Sequence, residues 1–271
     1  MRLKFDEVGY WTEIKIEIVK KYAKAYSEIL ARKFYHVYID AFAGAGRHKS
    51  RKTGDWIAGS PMTVLKTSPP FKEYYFIDNN KTKIDELQRL VGNRPDVHII
   101  LGDCNQKLIS DVFPKVRYED FKRGLLLIDP YGIHVKWQVM EMAGQMKSID
   151  VFINFPVADM NRNVFWRNTE NVDHRDIERM NAFWGDSSWR QVAYSTERNL
   201  FGWEMKTDNE TVAQAFKMRL HEKAGFKYVS EPIPMRNSVG AIVYYLFFAS
   251  QQKVADDIIK DIFDKYRERD R

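Results

Sequence analysis

The sequence predicts an α/β fold with a mostly parallel central sheet. Short apolar runs alternate with helical segments along residues 36–155, and this alternation is typical of βαβ units. The run at 125–129 is apolar up to its last residue, as a central parallel strand requires. The chain has 271 residues, of which 44% are hydrophobic and 30% charged, so we expect a single domain over residues 1–271.

Each element has a local reason. Apolar residues recur every three or four positions from Ile14 to Ile29, which predicts an N-terminal helix at 11–33. Ser60-Pro61 is typical of a helix N-cap followed by a proline in the first turn. The other runs predict strands at 36–40, 74–78, 97–101, 125–129 and 149–155, and helices at 60–67, 81–90, 106–113 and 137–146.

The alternation stops after the fifth strand. Residues 157–209 are rich in Trp, Asn and Arg, and we expect them to form a helical insertion within the domain. Its arginines and tryptophans suit either nucleic-acid contact or ordinary packing of the insertion. The pattern then predicts a helix at 210–224, an antiparallel strand pair at 226–233 and 241–250 around a turn at 234–238, and a last helix at 254–266.

Composition excludes several classes of protein. The only cysteine, Cys104, excludes a disulfide framework and a cysteine-rich metal site. No two histidines lie four residues apart, so we expect no metal. Residues 1–15 carry no apolar signal core, and no run approaches the ~20 apolar residues of a membrane span. We therefore expect a cytoplasmic protein, and the net charge of +6 favours an anionic partner.

Aspartates stand at the ends of four predicted strands, namely Asp40, Asp78, Asp103 and Asp129. Ligands of open α/β sheets bind at the carboxyl ends of the strands. Four acids gathered there crowd negative charge, which is explained if each accepts hydrogen bonds from a ligand. The sequence therefore predicts a ligand cleft at this edge of the sheet.

The segment Asp40–Gly46 predicts a tight turn against that ligand, with Phe42, Gly44 and Gly46 in it. Glycine allows close approach of the backbone, although the third glycine of a dinucleotide motif and the Lys-Ser/Thr of a phosphate loop are both missing. Asp78 follows Gly46 by 32 positions, about 12 more than the usual ~20 for a ribose-binding acid. The polar, basic loop at 47–58 accounts for the surplus.

Two of these acids have a second interpretation. Asp78 precedes two asparagines and a helix, and Asp103-Cys104 precedes another helix, so each aspartate is also a candidate helix N-cap. As ligand contacts, Asp78 would hold ribose hydroxyls and Asp103 an adenine amino group, with a backbone N–H from Cys104. Both alternatives stay open at the level of sequence.

The most specific motif is Asp129-Pro130-Tyr131-Gly132. A carboxylate or carbonyl oxygen there accepts from the exocyclic amine of a base, and Tyr131 provides a ring on which the base stacks. A plain structural turn is the alternative. For the substrate we expect phosphate contacts from the basic loop and further contacts near the pocket, in the set Arg47, Lys49, Arg51, Lys52, Asn154, Phe155 and Arg236.

The order of these motifs resembles a class I S-adenosylmethionine-dependent methyltransferase. The resemblance covers residues 37–250 apart from the insertion, and it implies a Rossmann-like sheet and S-adenosylmethionine as cofactor. The Asp-Pro-Tyr-Gly element is similar to the Asp-Pro-Pro-Tyr of amino-group nucleic-acid methyltransferases, and more similar to the Asp-Pro-Phe/Tyr-Gly of tRNA guanine dimethyltransferases. That similarity implies catalytic roles for Asp129, Pro130 and Tyr131.

A closer resemblance spans nearly the whole chain. Residues 4–11, 38–46, 59–61 and 154–163 resemble the three-Cys-motif partner family, whose bacterial or phage-associated members are encoded beside a protein with a three-cysteine motif. The family implies a partner protein more firmly than a reaction.

Two functions of different classes follow. The first is methyl transfer to an exocyclic amine of RNA or DNA, and the second is a non-catalytic scaffold for the three-cysteine protein. A nicotinamide-dependent oxidoreductase is a weaker third, because it requires another glycine and a last strand that is not antiparallel. The target base and the oligomeric state stay open.

Overall fold

A computed structural model describes residues 7–8, 10–50, 54–198 and 204–267. In chain order its strands are β1 (Glu7–Val8), β2 (Tyr35–Asp40), β3 (Arg47–Ser50), β4 (Trp56–Ala58), β5 (Glu73–Asp78), β6 (Val97–Leu101), β7 (Lys122–Ile128), β8 (Ile149–Phe155), β9 (Tyr194–Arg198), β10 (Glu204–Lys206), β11 (Tyr228–Val229), β12 (Ile233–Arg236) and β13 (Ile242–Ser250). Its α-helices are α1 (Tyr10–Leu30), α2 (Ser60–Val64), α3 (Lys81–Val91), α4 (Cys104–Lys107), α5 (Trp137–Met146), α6 (Val157–Asn163), α7 (His174–Trp184), α8 (Trp189–Ala193), α9 (Asn209–Glu222) and α10 (Lys253–Arg267).

The main sheet has eight strands in the order β11-β13-β8-β7-β2-β5-β6, with β12 also paired to β13. Strands β6, β5, β2, β7 and β8 run parallel. Strand β13 is antiparallel to β8, and β11 and β12 are antiparallel to β13. The predicted mostly parallel sheet with an antiparallel pair at the C-terminal side is therefore confirmed.

The sheet carries helices on both faces because its strands alternate their buried side chains. In β8, Val151 and Ile153 belong to the core on the side of α5, α9 and the insertion. Phe152 points to the other side, where it packs with residues of α1 and α10. By the same alternation, Asn154 near the end of β8 lies on the Phe152 side of the strand, the side that α1 covers.

Several predicted elements differ in detail. The basic loop is an antiparallel hairpin, β3–β4, with β1 alongside β3. The predicted helix at 106–113 is the short α4, a π turn at Leu108–Val112 and a 3₁₀ turn at Phe113–Lys115, and Pro114 removes the N–H that a regular helix would need there. The insertion is helical only in part, because after α8 it continues as the hairpin β9–β10.

Two local predictions are wrong. The N-cap of α2 is Gly59, since the Ser60 hydroxyl donates to Asp40 instead. The C-terminal turn lies at 237–241 rather than 234–238, because the Asn237 side chain accepts from the backbone N–H groups of Val239 and Ala241, a local closure typical of asparagine turns.

Within the described ranges, no helix is both long and apolar enough to cross a membrane.

Candidate active site

A cleft of about 540 Å³ lies at the carboxyl ends of the parallel strands, where ligands of such sheets bind. It is lined by predicted site residues from five separate segments, namely Phe42, Gly44, Asp78, Asp103, Cys104, Asp129, Pro130, Tyr131 and Asn154. Helix α1 and the first helix of the insertion, α6, complete the walls. The structure thus brings together most of the residues expected to hold a cofactor and all three expected to be catalytic.

The turn after β2 places its backbone close to the cleft. Gly44 has φ +61° and no atom within 4 Å of the position that a Cβ would occupy, so the backbone is open to a ligand on that side. Gly46, with φ +76°, lies below the turn, where a Cβ would be 2.8 Å from Cδ1 of Leu87. Both positions need glycine, but only Gly44 lines the cleft.

Asp40 differs from the expected ligand contact. Its side chain is fully buried and accepts from the Phe42 N–H at 3.1 Å and from Ser60 Oγ at 2.5 Å. Burial raises the pKa of this carboxyl to about 7. Asp40 does not line the cleft; it joins the glycine turn to α2.

Asp78 braces the same turn from the next strand. One of its oxygens accepts from the Gly44 N–H at 2.9 Å and the other from the Asn80 N–H at 2.8 Å. The N-cap of α3 is Asn80, which removes the capping interpretation of Asp78. The carboxylate itself lines the cleft.

Asp103 is an N-cap and also lines the cleft. Its Oδ1 accepts from the N–H groups of Asn105 and Gln106 at 2.8 and 3.2 Å, while the residue remains exposed. Cys104 follows as a buried residue, and burial raises the pKa of its thiol to about 12. Its side chain is therefore a neutral packing group at physiological pH.

Residues 129–132, the transfer loop, follow β7. Oδ2 of Asp129 forms an ion pair with the ammonium of Lys15, and Oδ1 accepts from Asn154 Nδ2 at 2.9 Å. The same amide nitrogen lies 3.4 Å from the Pro130 carbonyl oxygen. The Tyr131 side chain is 70% exposed, with the Lys83 ammonium 5.2 Å from its ring centroid. The loop thus presents a carboxylate held by two partners and an exposed aromatic ring.

Lys15 is a site residue that the sequence interpretation missed. It lies on α1, is only 5% exposed, and its ammonium is also 5.2 Å from the Tyr244 ring centroid. Its spacing to Ile18, Val19 and Tyr22, all buried, matches the buried face of α1. The sequence did contain a signal for this residue, because Lys15 stands at a position that continues the apolar stripe of α1.

The insertion contacts the transfer loop through Asp159 of α6. Its Oδ2 accepts from the Ile133 N–H at 3.2 Å, and its Oδ1 accepts from Asn163 Nδ2 at 2.8 Å. A Cβ at Gly132 would lie 2.6 Å from Asp159 Oδ2, so glycine is required at this approach. Asp159 and Arg162 both line the cleft.

Several predicted substrate residues lie elsewhere. Arg47 pairs with the buried Glu86 at 2.6 Å and stands over the Trp56 ring, and Lys49 is exposed on the hairpin outside the cleft lining. Arg51 and Lys52 are outside the described residues. Of the described cations of this stretch, neither Arg47 nor Lys49 lines the cleft.

Phe155 and Arg236 are also away from the cleft, contrary to expectation. Phe155 is fully buried against Phe216 and Phe247, because it alternates with Asn154 along β8 and so faces the opposite side of the sheet. Arg236 ends β12 and donates to the Gly240 carbonyl at 2.9 Å.

Across the described part of the chain, no cluster of three His, Cys, Asp or Glu residues is arranged to hold a metal ion.

Comparison with known proteins gives a likeness in structure only. No family model and no curated protein matches the sequence. Protein LPL1258 from Legionella pneumophila aligns over 95% of this chain and 91% of its own, with 12% identity and a TM-score of 0.58. A putative S-adenosylmethionine-dependent methyltransferase from Listeria monocytogenes covers 84% of this chain and 98% of its own at 11% identity, with a TM-score of 0.44.

The methyltransferase domain of bacterial CtHen1 covers 86% of this chain and 98% of its own at 8% identity, with a TM-score of 0.42. Identities this low bear on the fold alone. Together with the strand order and the antiparallel β13, the alignment with LPL1258 supports a Rossmann-like α/β fold.

Proposed function

We propose that this protein is an S-adenosylmethionine-dependent methyltransferase acting on an exocyclic amine of a nucleic-acid base. One observation carries the proposal: the glycine turn, two strand-end acids and the Asp-Pro-Tyr-Gly loop line a single cleft. A cofactor-binding half and an amine-binding half therefore adjoin each other.

The residues on the cofactor side fit the group. The open backbone at Gly44 admits a ligand without a Cβ clash. The carboxylate of Asp78 suits ribose hydroxyls, and Asp103 with the Cys104 backbone N–H suits the edge of an adenine, as both lie on the cleft wall. When bound, S-adenosylmethionine supplies an electrophilic methyl group.

The other half of the cleft orients the acceptor. The Asp129 carboxylate and the Pro130 carbonyl accept from an amine, and the exposed Tyr131 ring stacks on the base that carries it. Lys15 and Asn154 fix the direction of the carboxylate. Most of the rate enhancement then comes from the orientation of the two reactants. No strongly basic side chain is required to activate the amine.

We further propose a three-cysteine-motif protein as the partner. The proposal rests on the sequence resemblance, and its segments 38–46, 59–61 and 154–163 all contribute residues to the wall of the cleft. A set of residues shared within a family and gathered at one cleft is what a common ligand requires.

One observation favours the non-catalytic scaffold as a second candidate. Both Asp129 oxygens already have partners within the protein, as expected of a residue with a structural role. The oxidoreductase alternative is disfavoured by the antiparallel β13.

Calorimetric titration with S-adenosylmethionine, paired with a methyl-transfer assay on RNA and DNA, separates these functions. We expect binding by the native protein, loss of binding in Asp78→Ala, and retained binding without transfer in Asp129→Ala. Transfer that survives Asp129→Ala would refute the catalytic assignment. Absence of cofactor binding by the native protein, alone and with the three-cysteine protein added, would favour the scaffold.

A further inference from the structure

Several cations and tryptophans in the described part of the insertion already have partners within the protein. Trp184 and Trp189 are buried in the core, Arg175 pairs with Asp173, and Arg179 pairs with Asp159 and Asp176. Packing, rather than ligand contact, accounts for these residues.

Arg162 is different. It is exposed and lines the cleft, yet its guanidinium forms no ion pair with any residue that the structure describes. The cleft wall includes the acids Asp78, Asp103, Asp129 and Asp159, and Arg162 pairs with none of them.

The position of Arg162 is fixed rather than accidental. Asp159 lies three residues earlier on α6, hence on the same helix face, and it accepts from the Ile133 N–H, directly after the transfer loop. On the other side, Asn161 donates to Asn209 at 3.0 Å. The Arg162 carbonyl accepts from Trp166 Nε1 at 2.6 Å. Arg162 therefore reaches the cleft from a helix that hydrogen bonds hold on two sides, through Asp159 and Asn161.

The chemistry of the cleft indicates what this guanidinium binds. S-adenosylmethionine carries a carboxylate but no phosphate, and the proposed function places it along the Gly44, Asp78 and Asp103 side of the cleft. Helix α6 instead adjoins Gly132 and Ile133 on the acceptor side, so we assign an anion at Arg162 to the second substrate. Asp129 is only 23% exposed at the cleft, so a base must leave a duplex stack to reach it. An unstacked nucleotide brings a flanking phosphate to the rim together with its base.

We infer that Arg162 binds the backbone phosphate next to the target nucleotide of a single-stranded nucleic acid while Tyr131 stacks on the base. The inference rests on the proposed function and names its substrate class as a polynucleotide strand rather than a free small amine. The inference assigns phosphate binding to the insertion and not to the basic hairpin that the sequence predicted, where Arg47 is held by Glu86.

The test is a salt series of fluorescence anisotropy titrations with a labelled single-stranded RNA and the DNA of the same sequence. Arg162→Ala is compared with Arg167→Ala, another exposed arginine, which lies outside the cleft lining. We expect Arg162→Ala to weaken binding about tenfold at low salt and to reduce the salt slope by about one phosphate contact. Arg162→Lys should keep the slope, and Arg167→Ala should match the native protein.

Equal losses in Arg162→Ala and Arg167→Ala, or an unchanged slope in Arg162→Ala, would overturn the inference. Titration of each variant with S-adenosylmethionine keeps the two proposals apart. Cofactor binding without any nucleic-acid binding by the native protein would refute the inference and leave methyl transfer to another substrate class. A selective Arg162→Ala loss without cofactor binding would support the phosphate site and refute the methyltransferase.

Discussion

At the scale of single residues, four aspartates at equivalent strand ends occupy four different environments. Asp40 is buried beneath the glycine turn, Asp78 braces that turn, Asp103 caps α4, and Asp129 is held by Lys15 and Asn154. The pleat of each strand and the turn after it decide where the carboxylate points. A shared sequence position therefore does not imply a shared role.

The Lys15–Asp129 pair leads to a stability prediction. Lys15→Met leaves a largely buried carboxylate without its counter-charge, which should cost on the order of 3 kcal/mol and lower the melting temperature by roughly 6–12 °C. The exposed Lys20→Met on the same helix is the control and should not change it measurably. Equal melting temperatures for the two variants would show that the pair contributes nothing.

The two glycines of the glycine turn, Gly44 and Gly46, should respond differently to alanine. Both substitutions carry the left-handed backbone strain of about 1 kcal/mol. Gly46→Ala also forces a Cβ against Leu87, an overpacking cost of roughly 1–3 kcal/mol more, so it should be the less stable variant. Gly44→Ala places its methyl group in open space at the cleft. Relative to the stability that it loses, this variant should therefore lose more cofactor affinity than Gly46→Ala does. Urea unfolding and calorimetric titration measure the two effects, and the reverse order would contradict the assigned geometry.

At the scale of elements, the site depends on how α1 and α6 are held against the sheet. Helix α1 contributes Lys15 near its start and Tyr22 further along, where the Tyr22 hydroxyl donates to Asp150 at 2.8 Å. Helix α6 contributes Asp159, which accepts from the Ile133 N–H directly after the transfer loop. Both helices therefore act as walls whose position is set by buried polar contacts and apolar packing together.

The contact between α6 and the transfer loop can be tested by a double-mutant cycle. Gly132→Ala should displace the loop, because its Cβ would lie 2.6 Å from Asp159 Oδ2, at a cost of roughly 1–3 kcal/mol. Asp159→Ala removes the obstructing carboxylate, so the double variant should lose less stability than the sum of the single variants. Strict additivity in urea unfolding would show that the two residues do not meet.

At the scale of the whole molecule, buried carboxyls make stability depend on pH. Asp150 accepts from Tyr22 of α1 and from Ser250 of β13, so it joins the sheet to a helix and to the last strand. Burial raises the pKa of Asp150 to about 6 and that of Asp40 to about 7, above the ordinary value of 3.8. At pH values between the ordinary pKa of 3.8 and these raised pKa values, the folded state binds more protons than the unfolded state.

Titration of Asp150 and Asp40 should therefore lower stability as the pH rises from about 4 to about 7. His36 and His134, whose pKa values burial lowers from 6.5, contribute in the opposite direction below that pH. Carboxyls with lowered pKa values, such as Asp96 and Asp173, contribute in the opposite direction at pH below about 4, outside this window. Asp150→Asn should flatten the decline up to about pH 6, whereas the exposed Asp261→Asn should leave it unchanged. Urea unfolding across this range measures the slopes, and a decline of native size in Asp150→Asn would rule out its titration as a cause.

The sequence by itself determined the strand positions, their alternation with helices, the glycine turn and the edge of the sheet where the cleft lies. Apolar runs, helical periodicity and turn chemistry are set by neighbours along the chain, so these features were predictable. Asn154 and Asp129 were also within reach, since both stand at the ends of adjacent strands.

Only the tertiary structure decided which side chains meet. Lys15 reaches Asp129 from 114 positions away, Glu86 holds Arg47, Phe155 turns to the core, and Asp159 brings Arg162 to the cleft. These outcomes depend on strand pleat, on the face that each helix buries and on which buried charges find partners. The packing of distant segments sets all three, and no local pattern contains that information.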